Sequence, residues 1–165
     1  EKMPCRNLQI SQIELLPAQT AKEYTELNCL FDNNIELLGY DLSRTDIAAG
    51  DNLNTTLYWR AKEPIEQSYT VFTHILNNQG EVQAQQDNLP VAGTYPTDWW
   101  MPGEIITDPY TIPLSEDIPQ QIDASLVVGL YSWPSGKRLS IDESCSTASV
   151  DNFVTLSTIE MRDKP

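Results

Sequence analysis

The sequence predicts an all-β protein, built as an antiparallel sandwich of about eight strands. Short segments rich in β-branched and aromatic residues alternate apolar with polar side chains, which is the periodicity of a half-buried strand. Clusters of Asn, Asp, Gly and Pro separate these segments at short intervals, as in sandwiches. No segment has a convincing helical periodicity. With 165 residues, the chain is long enough to bury such a core as one domain.

The segment at residues 53–60 carries the clearest strand signal. Its alternate side chains would share one buried face: Leu53, Thr55, Leu57 and Trp59. A later segment contains Pro109 and Pro113, which predicts a strand at the edge of a sheet. The predicted strands are residues 8–16, 35–42, 53–60, 69–76, 81–86, 105–114, 124–131, 138–141 and 153–161.

We expect two regions along the chain. Residues 31–165 would form the sandwich, and residues 1–30 an N-terminal strand and linker, or the closing part of a preceding domain. Residues 8–15 resemble residues 154–161, which is compatible with either interpretation. The chain begins at Glu1 rather than at Met, so we expect a piece of a larger protein or a processed product.

The chain is strongly acidic, with 24 Asp and Glu against 10 Lys and Arg and a net charge of −14. This charge disfavours nucleic acid, because every phosphate contact would oppose the overall field. It disfavours direct binding to anionic lipid for the same reason. Since no run approaches the roughly 20 apolar residues that span a bilayer, we expect membrane contact only through a parent protein.

Cysteine and histidine usage predicts no enzyme. The three cysteines, Cys5, Cys29 and Cys145, lack zinc spacing, and we favour one Cys29–Cys145 bridge in an oxidising compartment. His74 is the only histidine and is expected to be a structural, hydrogen-bonded residue. Phosphate loops, nucleophile elbows and metal helices are absent from the sequence, so we expect no catalytic residues.

Asp and Asn cluster in three turns that would suit calcium, which prefers several oxygen ligands. These turns are residues 32–34, Asp46 with residues 51–52, and residues 151–152. The spacing of an EF-hand loop is missing, and Asp and Asn are also ordinary turn residues. We therefore expect no metal site and no cofactor, with calcium as the alternative.

Residues 89–103 form a long proline-rich connection, here called the aromatic loop, and loops of this length are usually functional or heavily packed. Its aromatic side chains could stack on sugar rings while neighbouring polar groups bond hydroxyls. They could instead plug the open end of the sandwich. The candidate ligand-binding residues are Tyr95, Asp98, Trp99, Trp100 and Glu104. Trp59 and Trp133 are expected to be structural.

Several motifs resemble a β-sandwich domain of bacterial envelope proteins. The resemblance covers about residues 31–160 and is carried by residues 35–42, 50–51, 57–59, 69–74, 93–97, 100–104 and 128–131. That domain occurs at the C-terminal end of multi-spanning, mannosyltransferase-type glycosyltransferase-like proteins. The resemblance implies an immunoglobulin-like accessory sandwich on the outer side of the membrane, in the cell envelope. It carries over no catalytic residue, because the catalytic part of such proteins lies outside this domain.

Three functions follow as hypotheses. The first is a non-catalytic extracytoplasmic accessory domain of a glycan-handling envelope protein, which contacts glycan or a neighbouring protein. The second is a structural or protein-interaction module without a small ligand, acting through exposed edge strands. The third is a glycosidase that uses Asp98 and Glu104 as its carboxylate pair.

Overall fold

The computed structural model describes residues 24–118 and 122–162, and these residues form ten strands in two sheets. The strands are β1 Thr25–Phe31, β2 Ile35–Leu42, β3 Asp46–Ala48, β4 Asn52–Ala61, β5 Tyr69–Asn77, β6 Val82–Asn88, β7 Ile105–Pro113, β8 Ile122–Ser132, β9 Lys137–Arg138 and β10 Val154–Arg162. Two one-turn 3₁₀ helices, Val91–Gly93 and Thr97–Trp99, lie between β6 and β7. No helix in the described part of the chain is long and apolar enough to cross a membrane.

The first sheet has the order β1-β2-β4-β7, and the second has the order β3-β10-β8-β5-β6, with β9 paired to β8. Neighbouring strands are antiparallel, except that β3 runs parallel to β10. The all-β sandwich expected from the sequence is therefore confirmed. The predicted edge position of the strand that contains Pro109 is also confirmed, since β7 borders the first sheet.

Two strands that the sequence did not predict, β1 and β3, account for the difference between about eight expected strands and ten observed ones. β1 begins at Thr25 and runs across the boundary between residues 30 and 31, where the sandwich was expected to start. Its alternation is broken at a bulge, where Asn28 has a positive φ of 57°. β3 has only three residues. The strand expected at residues 138–141 is confined to Lys137–Arg138. The strand expected at residues 8–16 lies outside the described residues.

The core fills the space between the inner faces of the two sheets. The predicted buried face of β4 is confirmed, because Leu53, Thr55, Leu57 and Trp59 are all buried. Opposite them, β5, β8 and β10 contribute further fully buried side chains: Val71, Ile75, Leu126, Leu130 and Ile159. One buried hydrogen bond of 2.5 Å joins the layers, donated by the Tyr40 hydroxyl of β2 to the Leu156 carbonyl oxygen of β10.

One end of the sandwich gathers the loops that are relevant to function. β1 and β4 end there, β5 begins there, and β8 reaches it at Ser132, which pairs with Tyr69. The aromatic loop crosses this end as it carries the chain from β6 in the second sheet to β7 in the first. We call it the aromatic end.

The favoured disulfide is confirmed. Cys29 of β1 is bonded to Cys145, and both residues are buried. The bond ties the edge of the first sheet to the turns that precede β10 across a sequence separation of 116 residues. It therefore closes most of the described chain into one loop.

Replacing both cysteines by serine is expected to lower the free energy of unfolding by about 2–4 kcal/mol, because the unfolded chain regains the freedom of a very long loop. Urea unfolding with and without dithiothreitol measures this effect. The reductant should destabilise the parent protein and leave the Cys29→Ser, Cys145→Ser variant unchanged. Equal midpoints for the parent and the double variant would show that the bond adds no stability.

Candidate functional site

The two neighbouring tryptophans of the aromatic loop have opposite environments. Trp100 is 3% exposed and lies against Trp59, with ring centroids 6.5 Å apart. Its indole nitrogen donates to the Tyr95 carbonyl oxygen at 3.0 Å, so the buried N–H has a partner. Trp99 is 64% exposed. Trp100 is thus the plug of the aromatic end, and Trp99 remains available as a platform.

The turn that carries Trp99 is held by hydrogen bonds to the segment before β5. The Thr97 hydroxyl is fully buried, donates to the Gln67 carbonyl oxygen and accepts from the Tyr69 backbone nitrogen, both at 2.9 Å. The Ser68 hydroxyl donates to Asp98 at 2.5 Å. These three bonds hold the two residues that precede Trp99, so its exposed ring projects from an ordered support.

Tyr95 of the aromatic loop is bonded to Glu104, which directly follows the loop. The Tyr95 hydroxyl donates to Glu104 Oε2 at 2.8 Å, and this bond raises the pKa of the Tyr95 hydroxyl above its ordinary value. The Met101 backbone nitrogen points to the same carboxylate oxygen at 3.3 Å. Glu104 therefore braces the loop rather than pointing freely into solvent.

A buried carboxylate anchors the start of the aromatic loop. Asp108 of β7 is fully buried, and it accepts from the Val91 backbone nitrogen at 2.7 Å and from the Trp59 indole at 3.2 Å. Burial raises the pKa of Asp108, and the bond from Val91 offsets part of that rise. Burial and the nearby charge of Asp108 likewise raise the pKa of Tyr110, its neighbour on the inner face of β7.

The same anchor holds a strained backbone. Val91, Ala92 and Gly93 have successive positive φ values of 54°, 53° and 82°. A positive φ is rare for a β-branched residue and costs on the order of 1–3 kcal/mol, so surrounding contacts must enforce it. The bond from Val91 to Asp108 is such a contact.

Trp133 is not the structural residue that the sequence led us to expect. It is 78% exposed, because it follows Ser132 at the end of β8 and enters a turn rather than the core. Since Ser132 pairs with Tyr69, Trp133 lies at the aromatic end too. The sequence signal that could have placed it is its neighbour Pro134, which predicts a turn. The expectation for Trp59 is confirmed, since it is fully buried.

His74 has the hydrogen bond that was expected of it. Its Nε2 atom lies 2.9 Å from Asp87 Oδ1 on β6, and the Tyr131 hydroxyl donates to the other oxygen of Asp87 at 3.3 Å. The Tyr131 hydroxyl has a raised pKa, through burial first and the Asp87 charge second. These groups lie on the outer face of the second sheet, on different strands from the aromatic loop.

Within residues 24–118 and 122–162, no three side chains of His, Cys, Asp or Glu form a group that could hold a metal ion. Two of the Asp side chains in the candidate calcium turns, those of Asp32 and Asp51, are bonded to protein groups. Asp32 accepts from the Ser140 backbone nitrogen and hydroxyl at 2.8 and 2.7 Å. Asp51 accepts from the Ala48 backbone nitrogen and pairs with Arg44. These oxygens shape turns in the structure.

No protein-family model matches the chain, and no curated protein matches it in sequence. Solved structures to which the chain is similar include the C-terminal domain of wzt, at 8% identity and a TM-score of 0.48, with 86% of this chain and 81% of that chain covered. Spo0M, a sporulation control protein from Bacillus subtilis, is 14% identical, with a TM-score of 0.43 over 80% of this chain and 51% of its own.

A β-glucuronidase of glycoside hydrolase family 2 is also 14% identical, with a TM-score of 0.43. That match covers 63% of this chain and 10% of the enzyme, so the chain corresponds to a small part of the larger protein. At these identities and scores, no residue role is transferred from any of the three.

Replacing Trp100 by Ala is expected to lower the free energy of unfolding by about 3–5 kcal/mol, because it empties a large buried site. Replacing Trp99 by Ala should change it by no more than about 0.5 kcal/mol, since its ring is mostly exposed. Urea unfolding of the two variants measures both values. Equal losses would contradict the division between plug and platform.

Replacing Asp108 by Asn is expected to remove the contribution of this carboxyl group to the pH dependence of the free energy of unfolding. The folded pKa of Asp108 is raised above 3.8, so the folded protein binds this proton more tightly than the unfolded chain. The contribution of this proton to the free energy of unfolding is complete below the pKa of Asp108 in the unfolded chain. It is lost as the pH rises through the pKa of Asp108 in the folded protein. Parent and variant are compared by urea unfolding from about pH 4 to about pH 7. The parent should gain stability relative to the variant toward low pH, and a constant difference would contradict the assignment.

Proposed function

We propose that this chain is a non-catalytic, extracytoplasmic accessory domain of a glycan-handling protein, and that it binds glycan through the exposed face of Trp99. The observation that carries the proposal is the exposed indole on a turn whose backbone is fixed by Thr97 and Ser68.

The chemistry of the loop suits a sugar. An indole face offers apolar area to the C–H groups on one side of a pyranose ring. Asp98 precedes Trp99 in the chain and is exposed, and its carboxylate can accept bonds beyond the one from Ser68. Because the support is already ordered, little conformational freedom is lost on binding.

The Cys29–Cys145 bond supports a location outside the cytoplasm, since such bonds persist in oxidising compartments. The resemblance of the sequence to an envelope accessory domain points the same way. In this proposal the partner is a glycan or an envelope protein that presents one, and the reaction belongs to another part of the assembly.

A protein-contact surface is the second candidate. Trp99, Met101, Ile105 and Trp133 are all large, apolar and exposed, and they all lie at or next to the aromatic end. Exposed apolar groups that lie near one another favour a macromolecular partner. The Trp99→Ala variant described next separates this alternative from glycan binding.

We expect Trp99→Ala to abolish the response of the domain to glycan, because it removes the stacking surface and leaves the fold intact. Tryptophan fluorescence and amide NMR shifts are followed during titration with linear tetrasaccharides of mannose, glucose and N-acetylglucosamine. The matched control is Val82→Ala, which shortens an exposed apolar side chain at the opposite end of β5 and β6. It should bind as the parent does.

If no tetrasaccharide perturbs the parent protein, glycan binding through Trp99 is refuted. Light scattering on the same samples then tests the alternative. Self-association that Trp99→Ala removes would assign the aromatic end to protein contact.

A further inference from the structure

A cleft of about 490 Å³ opens at the aromatic end beside the loop. This volume lies within the range of about 300–1,000 Å³ that is usual for small-molecule sites. None of the sugar-binding candidates found from the sequence lines it. Its lining comes from the β1–β2 turn, the segment between β4 and β5, and Leu139: Phe31, Asp32, Asn34, Ile35, Pro64, Ile65, Glu66, Gln67, Tyr69 and Leu139.

The cleft and the turn that carries Trp99 both contact the segment of residues 67–69. Gln67 and Tyr69 line the cleft, and their backbone groups bond the Thr97 hydroxyl in the turn that carries Trp99. The Gln67 side-chain amide donates to the Tyr69 hydroxyl at 2.7 Å, which orders the cleft wall. A ligand that stacks on Trp99 is therefore adjacent to a preformed cavity, with the three residues 67–69 between them.

The cleft combines an apolar floor with a polar rim. Phe31, Ile35, Ile65 and Leu139 are buried and form apolar parts of the lining. The exposed rim carries Asp32, Glu66 and Gln67, and Asn34 is half-buried beside them. A sugar residue has the complementary pattern, with C–H groups on its ring face and hydroxyls at its edge.

The charge of the rim selects among sugars. The lining residues include two carboxylates, Asp32 and Glu66, and none of these described residues is Lys, Arg or His. The whole chain, these two carboxylates included, has a net charge of −14. A uronic acid, sulfate or phosphate placed in the cleft would face like charge from near and far.

We propose that this cleft is the second part of the glycan site and takes an uncharged sugar residue, while a neighbouring residue of the same oligosaccharide stacks on Trp99. The inference rests on the proposed function and deepens it, because it names the ligand as a neutral oligosaccharide of at least two residues. Acidic glycans are excluded by the carboxylates of the rim.

The experiment reverses one rim charge. Glu66→Lys is compared with Glu116→Lys, which makes the same change of two charge units at an exposed position near the opposite end of β4 and β7. Both variants and the parent are titrated by calorimetry with β-1,4-linked mannotetraose and with tetramannuronate, its uronic acid counterpart. The other neutral tetrasaccharides are run alongside, and amide NMR spectra verify that each variant is folded.

The parent should bind a neutral tetrasaccharide, with NMR shifts at residues 65–67 as well as at Trp99, and should bind tetramannuronate more weakly than mannotetraose. Glu66→Lys should increase affinity for tetramannuronate about tenfold relative to Glu116→Lys, the factor for two charge units at roughly 6 Å in water.

If Trp99→Ala abolishes neutral binding, but Glu66→Lys and Glu116→Lys respond alike and residues 65–67 do not shift, the cleft is not part of the site and the proposed function stands. If the parent binds none of the neutral tetrasaccharides, both proposals fall together. A parent that binds tetramannuronate as tightly as mannotetraose would overturn the charge selection alone.

Discussion

The buried carboxylate of Asp108 organises the aromatic end of this protein. It receives one hydrogen bond from β4, an inner strand of the first sheet, through Trp59, and another from the loop backbone, through Val91. Burying a carboxylate is costly unless donors satisfy it, and here two N–H groups do so. The loop begins at a fixed point as a result, and its strained turn, the Trp100 plug and the exposed Trp99 all follow in sequence from that point.

The arrangement separates support from contact. Trp100, Tyr95 and Glu104 have their polar groups turned toward one another within the loop, as the bonds among them show. Trp99 and Asp98 remain at the surface. A carboxylate pair for glycoside hydrolysis needs two groups that face one bond of the substrate. Asp98 and Glu104 are engaged by different partners, Ser68 and Tyr95, so Asp98 belongs with the exposed side chains and Glu104 with those that support the loop.

Alternation along the strands was enough to predict the fold class and seven of the nine segments with nearly correct bounds, because most strands bury one face. It failed for β1, where a bulge at Asn28 breaks the period, and for β3, whose parallel pairing with β10 depends on residues more than 100 positions away. Periodicity did contain a signal for Asp108. That residue occupies an inward position of β7 between Ile106 and Tyr110, where a carboxylate is unusual.

Sequence reasoning located the aromatic loop but left the roles of Trp99 and Trp100 open. Adjacent side chains in a turn point in different directions, and which of them enters the core depends on the one-turn helix at Thr97–Trp99. That helix is positioned by Gln67 and Tyr69, which are about 30 residues away in the chain. The cleft was missed for a related reason, since its walls come from three separate segments that only the folded sheets bring together.

The direction of β10 has a practical consequence. It begins at Val154, paired with Val128, and runs away from the aromatic end until Met161 pairs with Ile122. Between Ser132 and Ile122, β8 extends for ten residue steps, or about 30 Å at roughly 3.3 Å per step. Arg162 thus lies at the end of the sandwich opposite the aromatic end. A label or tether joined after β10 would leave the aromatic end pointing outward. Attachment after β10 is therefore suitable for immobilising the domain on a sensor surface.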